Sequence, residues 1–185
     1  MNNFIKFLKF ASIATIVISI LYGLIWFCPT AWWLHKVKYF YYSNWALDVI
    51  YHSIILAVFI YMRKFSSIKV EMLRLSTVGI ASALFGVITT ILFVISYLGV
   101  TNVSFYTYTN YITAIGLLAT FIWLSFTMSS KLVKFVCVLY AIFPIFIKIM
   151  GEVCYSSFLN STLTILQWLI LALFYYSFSK TINDN

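Results

Sequence analysis

Charge is scarce in this chain of 185 residues: 9% of it is Asp, Glu, Lys or Arg, and only four residues are acidic. A water-soluble domain covers its surface with such groups. A chain that is 64% hydrophobic, with a mean hydropathy of +1.02, has too little polar surface to fold in water. Cysteine is sparse as well. Cys28, Cys137 and Cys154 are too scattered to bind a metal by local spacing. There is no G-x-S-x-G elbow, H-E-x-x-H, C-x-x-C or glycine-rich phosphate loop, so hydrolase and nucleotide-binding readings lose their main support. No cofactor and no metal are expected. Acidic balance is also missing, since the net charge is +8. In a soluble protein that excess would suggest nucleic acid. Here the twelve Lys and Arg lie at the ends of apolar runs, where anionic lipid headgroups and insertion topology account for them, and nucleic acid is set aside.

What is present is a series of long apolar runs. They predict an all-α integral membrane protein, a single domain of six transmembrane helices over residues 4–27, 44–62, 75–98, 111–128, 132–153 and 161–178, with a frayed tail at 179–185. Six spans of about 20 residues use roughly 120, so no soluble domain is expected. The first run could pass for a signal peptide, but it is too long. It has no small-x-small cleavage site, and bulky Ile25, Trp26 and Phe27 precede Cys28. Within it Ala11, Thr15, Ser19 and Gly23 form a small-residue stripe, which suits close helix packing inside the protein, or a docking face for another helix or a second copy. Gly79, Ser82, Ala83 and Gly86 do the same in the third helix. Residues 28–43, rich in Trp and Tyr, read as an interfacial loop or short surface helix, and Pro144 should kink the fifth helix.

The cations orient the bundle. With both termini in the cytoplasm, nine of the twelve lie inside: Lys6, Lys9, Arg63, Lys64, Lys69, Arg74, Lys131, Lys134 and Lys180. Lys36, Lys38 and Lys148 lie outside. This is the bias of the positive-inside rule, and it makes residues 63–74 a basic cytoplasmic loop. Abundant Phe, Tyr, Ile, Asn and Lys fit an AT-rich bacterial genome and hence a bacterial cytoplasmic (inner) membrane. The sequons at Asn102 and Asn160, both on the expected outer side, keep a eukaryotic origin open.

The second helix carries the main chemical signal. Asp48 and His52 are four residues apart and share one face. At 1.5 Å per residue, Asp48 lies about 22 Å from Arg63 and Lys148 about 21 Å from Lys134. Asp48 and Lys148 therefore reach one depth, His52 lies near mid-membrane, and Glu152 lies near the outer interface. Charge at such depth marks a functional site by default, here a pocket or ion pair of Asp48, His52, Lys148 and Glu152. The plainer alternative is a structural ion pair that fixes helix register. Cys28 and Cys154, both at outer helix ends, are candidates for a disulfide. The favoured reading is a small transporter or channel-type protein with an outward-facing polar pocket for a small solute or ion. His52 is able to change charge near neutral pH. The alternatives are an accessory, regulatory or immunity-type membrane protein without chemistry of its own, and an intramembrane enzyme using Cys154, His52 and Asp48. The expected surroundings are the lipid bilayer and, on the helix faces, a partner helix or a homo-oligomer.

Overall fold

The computed structural model describes residues 2–27, 38–65, 70–97, 103–154 and 157–183. Side chains at 38–41, 65, 70, 71, 96, 97, 103–110, 148, 151–154, 157 and 183 lie outside that description. Among the described residues there are six α-helices: α1 (Asn2–Phe27), α2 (Lys38–Phe65), α3 (Val70–Tyr97), α4 (Val103–Thr127), α5 (Lys131–Cys154) and α6 (Ser157–Asn183). No strand occurs among the described residues. Among the described residues, four helices are long and apolar enough to cross a membrane, over Asn2–Phe27, Tyr42–Lys64, Met72–Ile95 and Phe158–Ile182. The apolar stretch Tyr111–Thr127 is shorter, and α5, which has Lys131 and Lys134 in its first turns, is not among the four.

Several helices run past the sequence boundaries. α2 starts at Lys38 rather than at residue 44, so part of the expected interfacial stretch is helical. Tyr and Trp have modest helix propensity, which hid this turn. The Tyr42 and Trp45 rings nevertheless meet edge to face, 5.5 Å apart, one turn along the helix. Arg63 and Lys64 fall in the last turn of α2, where cations favour the negative end of the helix dipole. α5 begins at Lys131, one residue before the expected start. The Val133 N–H donates to the Ser130 hydroxyl at 3.5 Å, a long N-cap bond, and the helix continues through Pro144.

The chain divides into two compact units, Met1–Phe27 with Phe121–Asn185, and Cys28–Thr120. In the first, α1 and α6 run antiparallel. Phe4 meets Phe178, Tyr22 meets Trp168 with centroids 5.0 Å apart, and Phe27 meets Phe158. Small residues make that approach possible. Ala11, Ser12, Thr15 and Ser19 are buried, and a Cβ built on Gly23 would come within 3.3 Å of Ile165. The stripe in the first helix therefore serves packing within the chain. Its hydroxyls are satisfied at no cost in width. Thr15 and Ser19 donate back to the carbonyls of Ala11 and Thr15, both at 2.7 Å, and Ser12 donates across to the Ala172 carbonyl at 2.9 Å. Ser12→Ala should therefore lower unfolding free energy in detergent by about 0.5–1.5 kcal/mol, and Ser12→Leu, which wedges the backbones apart, by more. Thermal melts followed by circular dichroism would check both.

α5 packs on the other side of α6. Between them, with the end of α4, sits an aromatic core. Phe121 lies 4.4 Å from Tyr140 and 5.3 Å from Phe174, and all three are almost fully buried. Cys137, free and fully buried, lies one turn before Tyr140.

The outer faces are apolar. On α1, Phe10, Ile13, Ile20 and Leu24 are all more than half exposed, while Ser12, Thr15 and Ser19 are buried. This inverts the usual order of a soluble helix, whose polar face is the outer one.

In the second unit α2 and α3 form an antiparallel pair with one continuous seam. Trp45 meets Phe93, Asp48 meets Thr90, His52 meets Gly86 and Phe59 meets Gly79, each step in the same register. Ile55 and Met62 on α2, and Ser76 and Ala83 on α3, continue the same three-four spacing and are buried. Large side chains of α2 thus enter the small face of α3. A Cβ on Gly79 would lie 2.6 Å from the Phe59 ring, so that position has no room for a side chain.

Candidate polar site on the α2–α3 seam

The apolar seam is interrupted at two adjacent steps, Asp48 and His52, by the acid and imidazole that the sequence placed on one helical face. In place of a hydrophobic knob, Asp48 meets Thr90, whose hydroxyl lies 2.8 Å from Oδ2 and 3.1 Å from the Gly86 carbonyl. The one hydroxyl proton can serve either acceptor. Thr90 is buried, and Asp48 keeps 39% of its side chain exposed. One end of the carboxylate is therefore anchored, while the rest of the group is reachable.

His52 is held from both sides. Its Nδ1 is 3.0 Å from the Asp48 backbone carbonyl and 3.6 Å from Asp48 Oδ1. Both neighbours are acceptors, so Nδ1 carries the hydrogen and donates to the carbonyl. The carboxylate contact is too long for a hydrogen bond but close enough for charge attraction once the ring is protonated. This tautomer leaves the Nε2 lone pair facing Gly86, with no hydrogen-bond partner among the described residues. Gly86 makes room for the ring, since a Cβ there would collide with it. The imidazole side chain is 13% exposed.

Asp48 and His52 therefore come together on one face of α2. Lys148, Glu152 and Cys154 lie on α5 with side chains outside the described residues, and Cys28 lies outside them altogether. The expected Asp48 and Lys148 pair, the shared pocket with Glu152, and the Cys28 and Cys154 bridge all fall there. Thr90 is the residue that sequence reasoning missed. Its signal was present, because it extends the small stripe of Gly79, Ala83 and Gly86 by one more turn. A hydroxyl in an apolar helix, however, bonds its own backbone as readily as a distant partner. Among the described residues no three of His, Cys, Asp and Glu converge as a metal site would require.

Chemically, a carboxylate, a buried hydroxyl and an imidazole base within one turn can accept, hold and pass a proton. Lone pairs are available at Asp48 Oδ1 and His52 Nε2, on the two sides of the Nδ1–H. No protein-family model matches the chain, and neither does any curated protein or solved structure with which it was compared.

Proposed function

We propose that the chain is a small integral membrane transport protein, of carrier or channel type, in which Asp48, His52 and Thr90 bind and relay a proton on an outward-opening polar site. The observation that carries this reading is the Asp48 carboxylate. It is hydrogen-bonded to Thr90 and 3.6 Å from His52, inside the candidate span Tyr42–Lys64. An acid and a base at such depth are costly, and they mark pathways for ions and protons.

The membrane part of the reading has separate support. Four helices have the length and apolarity to span, and exposed faces such as Phe10, Ile13, Phe126 and Phe135 suit hydrocarbon. All six helices are read as spans, with both termini on the cytoplasmic face of a bacterial inner membrane. Nine of the twelve cations fall on that face, and the antiparallel contacts of α1 with α6 bring the start of one to the end of the other. Reporter fusions test the orientation. A fusion after Ser67 should be active only as a cytoplasmic reporter, and activity of an export-dependent reporter there would contradict it.

A second reading, an accessory or immunity-type membrane protein, draws on the fit of His52 against Gly86, which a structural strut would also need. His52→Ala separates the two. Loss of proton movement with the melting temperature nearly unchanged supports transport. A large drop in melting temperature in a protein that moves no protons supports the accessory role.

A further inference from the structure

A hydroxyl in an apolar helix has one acceptor close at hand, the carbonyl four residues earlier. Ser53, Thr77, Ser82 and Thr120 all donate there, to Val49, Leu73, Val78 and Gly116. Thr90 has the same acceptor in the Gly86 carbonyl, at 3.1 Å, and a second one on another helix, Asp48 Oδ2, at 2.8 Å. The charge on the carboxylate decides between them. While Asp48 is ionised its oxygen is the stronger acceptor, because a hydrogen bond to an ionised group is roughly twice as strong as a neutral one. The hydroxyl then points at Asp48. A bound proton reverses this. On Oδ1 it would face the His52 Nδ1–H across 3.6 Å, whereas on Oδ2 it meets the lone pairs of the Thr90 oxygen. Oδ2–H then donates to Thr90, and the Thr90 hydrogen turns to the Gly86 carbonyl, in a chain whose two bonds strengthen each other. The step takes one proton from hydronium, forms the Oδ2–H bond and leaves water.

We propose that Thr90 is a hydrogen-bond switch that couples the charge on Asp48 to the backbone of α3. A threonine hydroxyl bonded to the carbonyl of the preceding turn bends its helix, and one withdrawn to another partner does not. The bend falls at Gly86, where a Cβ would strike the His52 ring, so protonation of Asp48 alters the fit of α2 on α3 at the proton site itself. Few other charges act on the switch. Among the described residues, the ionisable groups within one turn of Asp48 on α2 are Tyr51 and His52, and residues 75–96 of α3 contain none. Tyr51 is buried with its ring 5.1 Å from that of His52, and His52 Nδ1 is held by the Asp48 carbonyl. Thr90 is thus a positioning residue, and its part is regulatory. The inference rests on the reading of Asp48 as a proton site.

Infrared difference spectroscopy of the full chain in lipid vesicles, between neutral and acidic buffer, tests the switch when the glycine carbonyl carbons carry a heavy isotope. Acidification should produce the carbonyl band of a protonated carboxyl group, which Asp48→Asn removes, together with a fall in frequency of an amide carbonyl band that moves with the glycine label. Thr90→Val should raise the frequency of the carboxyl band, because Oδ2–H loses its acceptor, and abolish the glycine-dependent change. Thr90→Ser keeps the hydroxyl and should retain both signals, whereas a threonine that only filled space would be replaced better by valine than by serine. A carboxyl band with no glycine-dependent change in the wild type, or a glycine-dependent change that survives Thr90→Val, would overturn the switch and leave Asp48 as a proton site. The labelled wild-type spectrum decides even if Thr90→Val does not fold. Absence of any carboxyl band that Asp48→Asn removes would overturn the switch and the proton site together.

Discussion

Gly86→Leu should separate α2 from α3 and lower the melting temperature of the detergent-solubilised protein more than any other single change on the seam. A Cβ alone already collides with the His52 ring, and leucine adds three more carbons in the same direction. The ring has little room to retreat, because Nδ1 is tied to the Asp48 carbonyl and the next seam position, Ile55, is fully buried. The cost should exceed the roughly 1–3 kcal/mol of ordinary overpacking. A second substitution makes the expectation specific. His52→Ala empties the space that the introduced leucine side chain would need, so the double variant should regain part of the loss, a non-additivity expected only of residues in contact. Wild-type stability in Gly86→Leu, or strictly additive losses in the pair, would mean that the two helices do not meet in this register.

The seam also explains what could be read from the chain and what could not. The number of helices and their approximate centres follow from apolar runs, because run length is a property of the sequence alone. The ends do not. α2 continues back to Lys38 through aromatic residues that prefer strands, and α4 begins at Val103, well before the expected start at residue 111. In both places a neighbouring helical turn outweighs weak local preference. The site was legible to the same degree. Asp48 and His52 share a face by helix geometry, and that much needs no partner. Which hydroxyl answers the carboxylate depends on the α2–α3 register, and only the alternation of large residues at 52, 55 and 59 with small ones at 86, 83 and 79 fixes it. Depth matching on the sequence pointed from Asp48 to Lys148, whose side chain lies outside the described residues. It could not point to Thr90, which donates to the carboxylate from α3.

The other large effect concerns chemistry rather than packing. Asp48→Asn should abolish proton movement and leave the helix pair folded. The amide has the size of the carboxylate and its oxygen can still accept the Thr90 hydroxyl hydrogen, but it offers no site for a proton to bind and leave. Thr90→Val keeps the volume while deleting the donor, and it leaves Asp48 without its anchor. A hydrogen bond to a charged group is worth about 1.5–3 kcal/mol, so Thr90→Val should lower stability by a comparable amount and reduce flux without eliminating it. Melting temperatures of the two variants separate the roles. Asp48→Asn should lie close to wild type and Thr90→Val below it. The reverse order would make the carboxylate a structural group and Thr90 incidental.

Proton flux in proteoliposomes is the most direct measurement. Purified protein is reconstituted with a pH-sensitive dye inside, and a potassium diffusion potential, negative inside, is imposed with valinomycin. Wild-type vesicles should acidify faster than protein-free vesicles, and vesicles carrying folded Asp48→Asn should acidify no faster than the protein-free control. Acidification by Asp48→Asn at the wild-type rate, or wild-type vesicles indistinguishable from empty ones under every imposed gradient, would contradict a proton site at Asp48, His52 and Thr90.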